Sequence, residues 1–449
     1  MFQSMTFDVA IIGAGLDGLV LGRRLAAAGR TVALIDGHPG GRALSDRAGE
    51  YVLEFAAKGL VSDAETIALV TEVGLSERVQ KAPREARDRY IWRHRKLRRV
   101  PRTAVEILAT DLLPLALKAR LIWGLYKHYP WQKGDVEIGK FLRIQLGDDV
   151  VSALVKPVVA GMFAADADRI SLEMTFPDLF DELGRHKRLL PALGRIKERW
   201  HPSSTARARI SFPDGAGELR SALVAQAEAG IAKQTLFRSA ATGLEKQDGA
   251  WSVTLSSGEK VAAQKVVLAT DALVAAELLR PHAAGLADFL SSVEYAPLTV
   301  VHASAAEGAM GEKRSGAGCT PVAHHGVEAT AVLWTDKQFP GRAPAGRRLI
   351  TCHYGGESYR GANSWDEKTL LAKLAEDLQK TMQLQGEPEV VRITRIEKAV
   401  PVFRLGHMKR LVRASEQKPA DVLLLGNYLG GISPSDRIAA ANKLAREIG

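Results

Sequence analysis

The chain of 449 residues has only two cysteines, Cys319 and Cys352. That is too few for a disulfide framework or a thiolate metal cluster, and it fits a reducing compartment. Aromatic residues make up 6% of the chain, a thin supply for a binding site walled by several rings. No run approaches the ~20 consecutive apolar residues that a membrane-spanning helix needs. The opening "MFQSMTFDVAIIGAG" has no basic leader before its apolar run, so an export signal is not expected and a cytoplasmic location is. No Ser-His-Asp, zinc or paired-carboxylate signature is visible. The eleven histidines are scattered, and the adjacent pairs His324-His325 and Cys352-His353 point their side chains apart on a strand, so no metal is expected.

The length allows two or three domains and a large core. The net charge of +10 is unevenly placed, since Arg84 to Trp131 holds twelve Lys and Arg against four acids, a local +8. Such a patch calls for an anionic partner: lipid headgroups, an acidic small molecule or nucleic acid. "RHRKLRR" has the charge to hold phosphates, but no recognition fold accompanies it, and nucleic acid is not the expected partner. Leu112 to Trp131 has an apolar face, three cations, no acids, two tryptophans and two tyrosines. This composition suits either peripheral contact with a membrane surface or a helical subdomain whose apolar side is core.

Phe7 to Asp36 reads as strand, glycine turn, helix and second strand. Val9 to Ile12 is a short branched apolar run, and Leu16 to Ala28 has helical periodicity. Gly13 permits the tight bend, Gly15 lets the backbone approach a pyrophosphate, and Gly18 lets helix and strand pack closely. Asp36, ending the second strand, is placed to accept hydrogen bonds from a ribose. The pattern predicts a dinucleotide site at the N-terminus of the first helix.

The segment "GGRALS", Gly40 to Ser45, follows that acid and resembles the FAD-dependent amine oxidase, carotenoid desaturase and protoporphyrinogen oxidase superfamily. The loop before it, "DGHPGGR", is shorter than the family's. "FLRIQLG", "VKPVVAGMFAAD" and "RISLEMTFPDL", within Gly134 to Leu179, resemble the protoporphyrinogen oxidase branch, as does "IEKAVPVFRLGHMKRL", Ile396 to Leu411. The closing "LLLGNYLGGISPSDRIAAANKL" resembles the branch's C-terminal flavin motif.

The resemblance implies an α/β fold: a discontinuous Rossmann-type FAD-binding domain (1–81, 206–275 and 396–449), a basic helical insert (82–205) and a mixed-sheet substrate domain (276–395). It implies FAD held by Gly13, Gly15, Gly18, Asp36, Gly41, Arg42, Ala241, Gly426, Asn427, Tyr428, Gly431 and Ser433, with the helix from Ser435 aimed at the flavin. In "ARDRYIWRHRKLRRVP", Arg89 takes the position of the branch's substrate-carboxylate arginine. In "LEFAAKGL", Glu54, Lys58 and Gly59 keep the character of the flavin-edge motif, with Lys58 a candidate substrate-binding residue beside Arg89, while Ala56 and Ala57 replace its Gly-Pro. The activity implied is dehydrogenation of an anionic small molecule, a porphyrinogen, with oxygen or another electron acceptor and with peripheral contact at the inner face of the membrane. Two alternatives stay open: oxidation of an amine or pyrroline-type metabolite, and an inactive flavin-fold binding protein.

Overall fold

A computed structural model describes residues 6–41, 44–55, 59–129, 134–200, 208–230, 233–323 and 325–449. The first branched run forms strand β1 (Phe7–Ile12), which passes through the glycine turn into helix α1 (Leu16–Ala27) and returns as β2 (Val32–Ile35). β1 and β2 are parallel, with Val9 opposite Val32 and Ile12 opposite Ile35. Three strands from distant parts of the chain join them: β3 (Gln234–Phe237) beside β2, β4 (Lys260–Leu268) beside β1, and β5 (Val422–Leu424) beside β4, all parallel. The order β3-β2-β1-β4-β5 therefore draws one sheet from the beginning, middle and end of the sequence.

Alternation along these strands fills two cores. Val9, Ile11, Leu34 and Val267 face α1, the helix Gly217–Glu228 and the closing helix α2 (Pro434–Ile448). Ala10, Ile12, Ile35 and Leu268 face the other way, against Trp251 of the antiparallel hairpin and the helices Ala272–Leu279 and Ala284–Ser291. Burial on both faces explains the continuous apolar runs, and each fully buried Ile or Leu contributes roughly 1.5–3 kcal/mol.

A second sheet runs in the order Glu389–Val402, Glu294–Ala306, Arg347–Gly355, Ala331–Trp334, Gly318–Pro321, Tyr90–Arg93, Lys96–Arg99. It is mixed, since Cys319–Pro321 lies parallel to Tyr90–Trp92 while its other pairings are antiparallel. Helix Glu367–Met382 packs Leu370, Leu374 and Leu378 beneath it. Two segments depart from the boundaries read in the sequence. The hairpin Tyr90–Arg99 pairs with this sheet rather than joining the helices, because Tyr90, Ile91 and Trp92 bury their side chains there. Strand Glu389–Val402 also runs past position 396 without a break.

The helical part surrounds its own core of Leu121, Phe141, Leu146, Val159 and Leu183. Its amphipathic helix spans Leu115–Tyr126, shorter than the apolar stretch, because Pro114 is the N-cap and Leu112 and Leu113 are already buried before it. Trp131, counted at the far end of that stretch, lies outside the described residues. Among the described residues no helix is long and apolar enough to cross a membrane.

Candidate active site

The three turn glycines do different work. A Cβ at Gly13 (φ +106°) would lie 2.4 Å from the Ala269 carbonyl oxygen, and one at Gly18 would lie 1.9 Å from the Gly13 oxygen. Both positions are therefore closed by backbone. A Cβ at Gly15 would meet only the Asp17 Oδ1 of its own turn, at 3.4 Å. Gly41 closes the other side: its backbone is left-handed (φ +60°), and a Cβ there would sit 3.2 Å from the Gly15 Cα, while Gly40 N donates to Ala14 O at 2.7 Å. Gly15 caps α1 without a side-chain hydrogen bond, so the first-turn N–H groups are left for an anion. The result is a cradle walled by backbone, in which added side chains would take the space of a diphosphate.

Arg220, from helix Gly217–Glu228, reaches the Gly41 carbonyl at 3.3 Å and adds a cation beside this cradle. Asp36 accepts from Ala14 N at 2.7 Å and from His38 N at 2.8 Å, so its carboxylate braces the turn. A ribose hydroxyl would use its remaining lone pairs. Ala241 opens the strand Ala241–Gln247 close by: a Cβ at Gly37 would lie 3.5 Å from Ala240 N. Arg42 and Lys58 lie outside the described residues, as do Ala56 and Ala57.

The C-terminal segment closes on the same turn. Gly430 (φ +114°) and Gly431 (φ +68°) hold left-handed backbone that favours glycine, and a Cβ at Gly431 would lie 2.7 Å from the Asp436 Cβ. Ser433 caps α2: its hydroxyl accepts from Asp436 N at 3.2 Å, and the Asp436 carboxylate accepts from Ser433 N at 3.1 Å. Ser435 Oγ accepts from Val61 N at 2.9 Å, which ties the first turn of α2 to the residue that follows the segment read as the flavin edge. Asn427 begins a short helical turn after Gly426, where a Cβ would lie 2.4 Å from the Tyr428 ring.

Tyr428 was placed in the cofactor set, but its ring is turned into the core. It is fully buried, its hydroxyl has no hydrogen-bond partner among the described residues, and burial pushes its phenol well above the ordinary value. Any part it takes in a cofactor site is through its backbone, whose carbonyl already meets His407 Nε2 at 2.8 Å.

Sequence reasoning missed three charged groups here. Arg437 binds Asp17 at 2.9 Å and donates to Gly430 O at 3.0 Å, bridging the start of α1 to the C-terminal turn. It offsets the Asp17 charge that would otherwise oppose an anion at the α1 N-terminus. Arg342, fully buried, lies 3.1 Å from Glu54 Oε1 and donates to Ser211 Oγ at 2.8 Å. Burial outweighs Arg342 and raises the Glu54 carboxyl to about 7. His302 Nε2 meets the Glu54 carbonyl at 3.1 Å, and burial lowers its imidazole to about 4, so the neutral ring donates. The third group is Arg209, on the strand beside Val61.

Arg89 leads into the hairpin of the second sheet, and its carbonyl accepts from Val100 N at 2.8 Å. Its guanidinium makes no hydrogen bond or ion pair among the described residues. Burial, and then the charge of Arg209, push it down to about 10.

A parallel sheet collected from three parts of the chain, with a backbone cradle at the first helix and a second helix closing on it, defines an α/β dinucleotide-binding protein. The chain belongs to the flavin containing amine oxidoreductase family, which it matches over residues 18–418. It is 28% identical over 492 residues to the coproporphyrinogen III oxidase of Propionibacterium freudenreichii subsp. freudenreichii, covering 98% of this chain and 90% of that one. It is 25% identical over 430 residues to the coproporphyrinogen III oxidase of Bacillus subtilis (strain 168), covering 91% and 90%. A crystal structure from Exiguobacterium sp. 255-15, provisionally named a protoporphyrinogen oxidase, shares the fold with a TM-score of 0.79 at 20% identity, covering 98% of each chain. Membership of the family implies FAD, and the first-turn N–H groups of α1 beside Gly15, where no side chain caps the helix, suit the anionic part of such a group.

Proposed function

We propose that the protein is an FAD-dependent oxidase or dehydrogenase of the protoporphyrinogen-oxidase type, which removes hydrogens from protoporphyrinogen or coproporphyrinogen. Bound FAD supplies hydride-accepting chemistry, and oxygen or another acceptor completes the cycle. The chain's own task is then to hold cofactor and substrate, orient them and keep water out. Gly15, Gly41, Arg220 and the N-terminus of α1 would hold the diphosphate, with Asp36 at the ribose. Arg42 and Ala241 join this reading through the family resemblance, and Lys58 joins Arg89 as a substrate-binding residue.

The observation that carries the substrate reading is Arg89, whose guanidinium has no partner among the described residues. A guanidinium held below its ordinary value by burial is stabilised by a carboxylate, which it meets with two parallel hydrogen bonds. A protonated amine would meet a like charge there, which sets the porphyrinogen reading above the amine one. A visible spectrum without flavin bands, before and after adding FAD, would sink both enzyme readings, and turnover separates them from an inactive flavin fold. Steady-state oxidation of coproporphyrinogen tests the anchor: Arg89→Gln should raise KM about tenfold or more and leave kcat little changed. An unchanged KM would count against it.

The helical part supports peripheral membrane contact. Helix Leu115–Tyr126 turns Leu121 and Gly124 inward and leaves Leu115 (79%), Trp123 (59%) and Tyr126 (62%) exposed, beside Val105 (75%) and Leu108 (58%). Lys118, Arg120 and Lys127 flank this face. The combination of apolar tips and cations matches an anionic lipid surface.

A further inference from the structure

His407 opens the helix His407–Ser415, a few residues beyond the end of strand Glu389–Val402. Its ring is buried and stands edge-on to two phenylalanines, with centroids 5.1 Å from Phe289 and 5.2 Å from Phe403. The helical part fixes the chain that leads into it: Ser171 N donates to Phe403 O at 2.8 Å, and the Asp135 carboxylate accepts from Gly406 N at 3.0 Å. Residues of the second sheet, the helical part and the dinucleotide domain thus meet around this one imidazole.

The ring points at the middle of the C-terminal turn, where His407 Nε2 lies 2.8 Å from the Tyr428 carbonyl oxygen. A carbonyl only accepts, so Nε2 carries the proton. Burial holds the imidazole below its ordinary value, which leaves a neutral ring in that tautomer. On either side the turn has its own holds: Leu425 N donates to Leu268 O at 2.9 Å before it, and Arg437 donates to Gly430 O at 3.0 Å after it. The bonds from Leu429 N to Gly426 O and from Gly430 N to Asn427 O stay within the turn. Among the described residues, the His407 bond is the one hydrogen bond that reaches Asn427–Leu429 from another segment. The Tyr428 ring is sunk in the core and its carbonyl is held by His407. Asn427 is left half-buried, and its side chain makes no hydrogen bond among the described residues.

We propose that His407 is a positioning residue of the cofactor site: its N–H fixes the Tyr428 peptide and so sets how Asn427 and the Gly430–Gly431 backbone are presented to FAD. This role deepens the FAD-dependent reading and rests on it for the identity of the group that the turn receives. Without the donor, a carbonyl buried in the core is left unpaired, and the turn relieves that only by moving. Filling the space of the ring does not replace the bond, whereas a second donor at the same reach does.

Two measurements on the full chain test it. In the first, FAD is titrated into the FAD-free protein with flavin fluorescence as the signal. His407→Gln carries an amide N–H to where Nε2 stands and should keep the affinity within about threefold of wild type. His407→Asn has the same amide one carbon short, and His407→Phe fills the ring's space without a donor; each should lose about tenfold or more. Wild-type affinity in the Asn and Phe variants would overturn the proposal. So would an equal loss in the Gln, Asn and Phe variants, which would make packing of the ring the cause. In the second, amide hydrogen exchange is read in the FAD-free protein. Leu429 and Gly430 should exchange about tenfold faster in the Asn and Phe variants than in wild type and the Gln variant, with Val267 of the buried strand β4 unchanged. Lost protection at Val267 would mark the Phe variant as unfolded, and the Asn and Gln pair then decides. Exchange at Leu429 and Gly430 that ignores the donor would overturn the proposal. Wild type that takes up no FAD, while exchange follows the donor, would sink the FAD reading and leave the hold of His407 on the turn standing. FAD bound equally well by wild type and His407→Asn would do the reverse.

Discussion

Glu54 and Arg342 form a buried pair in which desolvation opposes attraction on both partners. The Glu54 carboxyl is raised from its ordinary 4.5 to about 7, so across that window the unfolded chain releases a proton that the folded chain keeps. Stability owed to this group is full below about pH 4.5 and falls as the pH rises toward about 7, by on the order of 3 kcal/mol. Glu54→Gln cannot ionise and lacks the slope. Urea unfolding at about pH 5 and about pH 7.5 should show the gap between wild type and variant moving in the variant's favour as the pH rises; parallel values would refute the assignment. Neither this pair nor Asp17–Arg437 was legible in the sequence. Each joins residues hundreds of positions apart, and no local spacing marks either partner. Gly13, Gly15 and Gly18 were legible because a turn is local and its geometry demands glycine within a few residues. Tyr428 shows the limit even there: the sequence placed the turn, but which way a ring points from it depends on a core assembled elsewhere.

At the scale of elements, periodicity located the strands and helices well where both faces of an element share one environment. β1 and β2 read directly from their apolar runs, because burial on both faces leaves no alternation to misjudge. The hairpin Tyr90–Arg99 was harder. Its arginines gave it the composition of the neighbouring basic helices, and only pairing with Cys319–Pro321, distant in sequence, assigns it to the second sheet. Helix Leu115–Tyr126 reads both ways, since its Leu121 side is core and its Leu115, Trp123 and Tyr126 side is open. Sedimentation with vesicles of anionic lipid should carry the wild-type protein down, more weakly as salt rises. The pair Leu115→Gln and Trp123→Gln should reduce binding several-fold at unchanged flavin content. Equal binding by wild type and variant would remove this face from the membrane proposal.

For the whole molecule, the principal consequence of the topology is convergence. β4 brings the middle of the chain against β1 and β5 brings its end against β4, and Ser435 and Arg437 then fasten α2 to Val61 and to the first turn of α1. What resembles two nucleotide-type units in the sequence is one parallel sheet with the start of α1 and the start of α2 joined beside it, and the cofactor site and the Arg89 anchor are proposed to lie there. That site, with FAD bound, is proposed to oxidise a polycarboxylate porphyrinogen. The most direct test is anaerobic mixing of the FAD-loaded protein with coproporphyrinogen or protoporphyrinogen while the oxidised flavin band is followed. The account predicts bleaching of that band with at least one of the two and its return on admitting oxygen or another acceptor. A flavin that stays oxidised with both would contradict it.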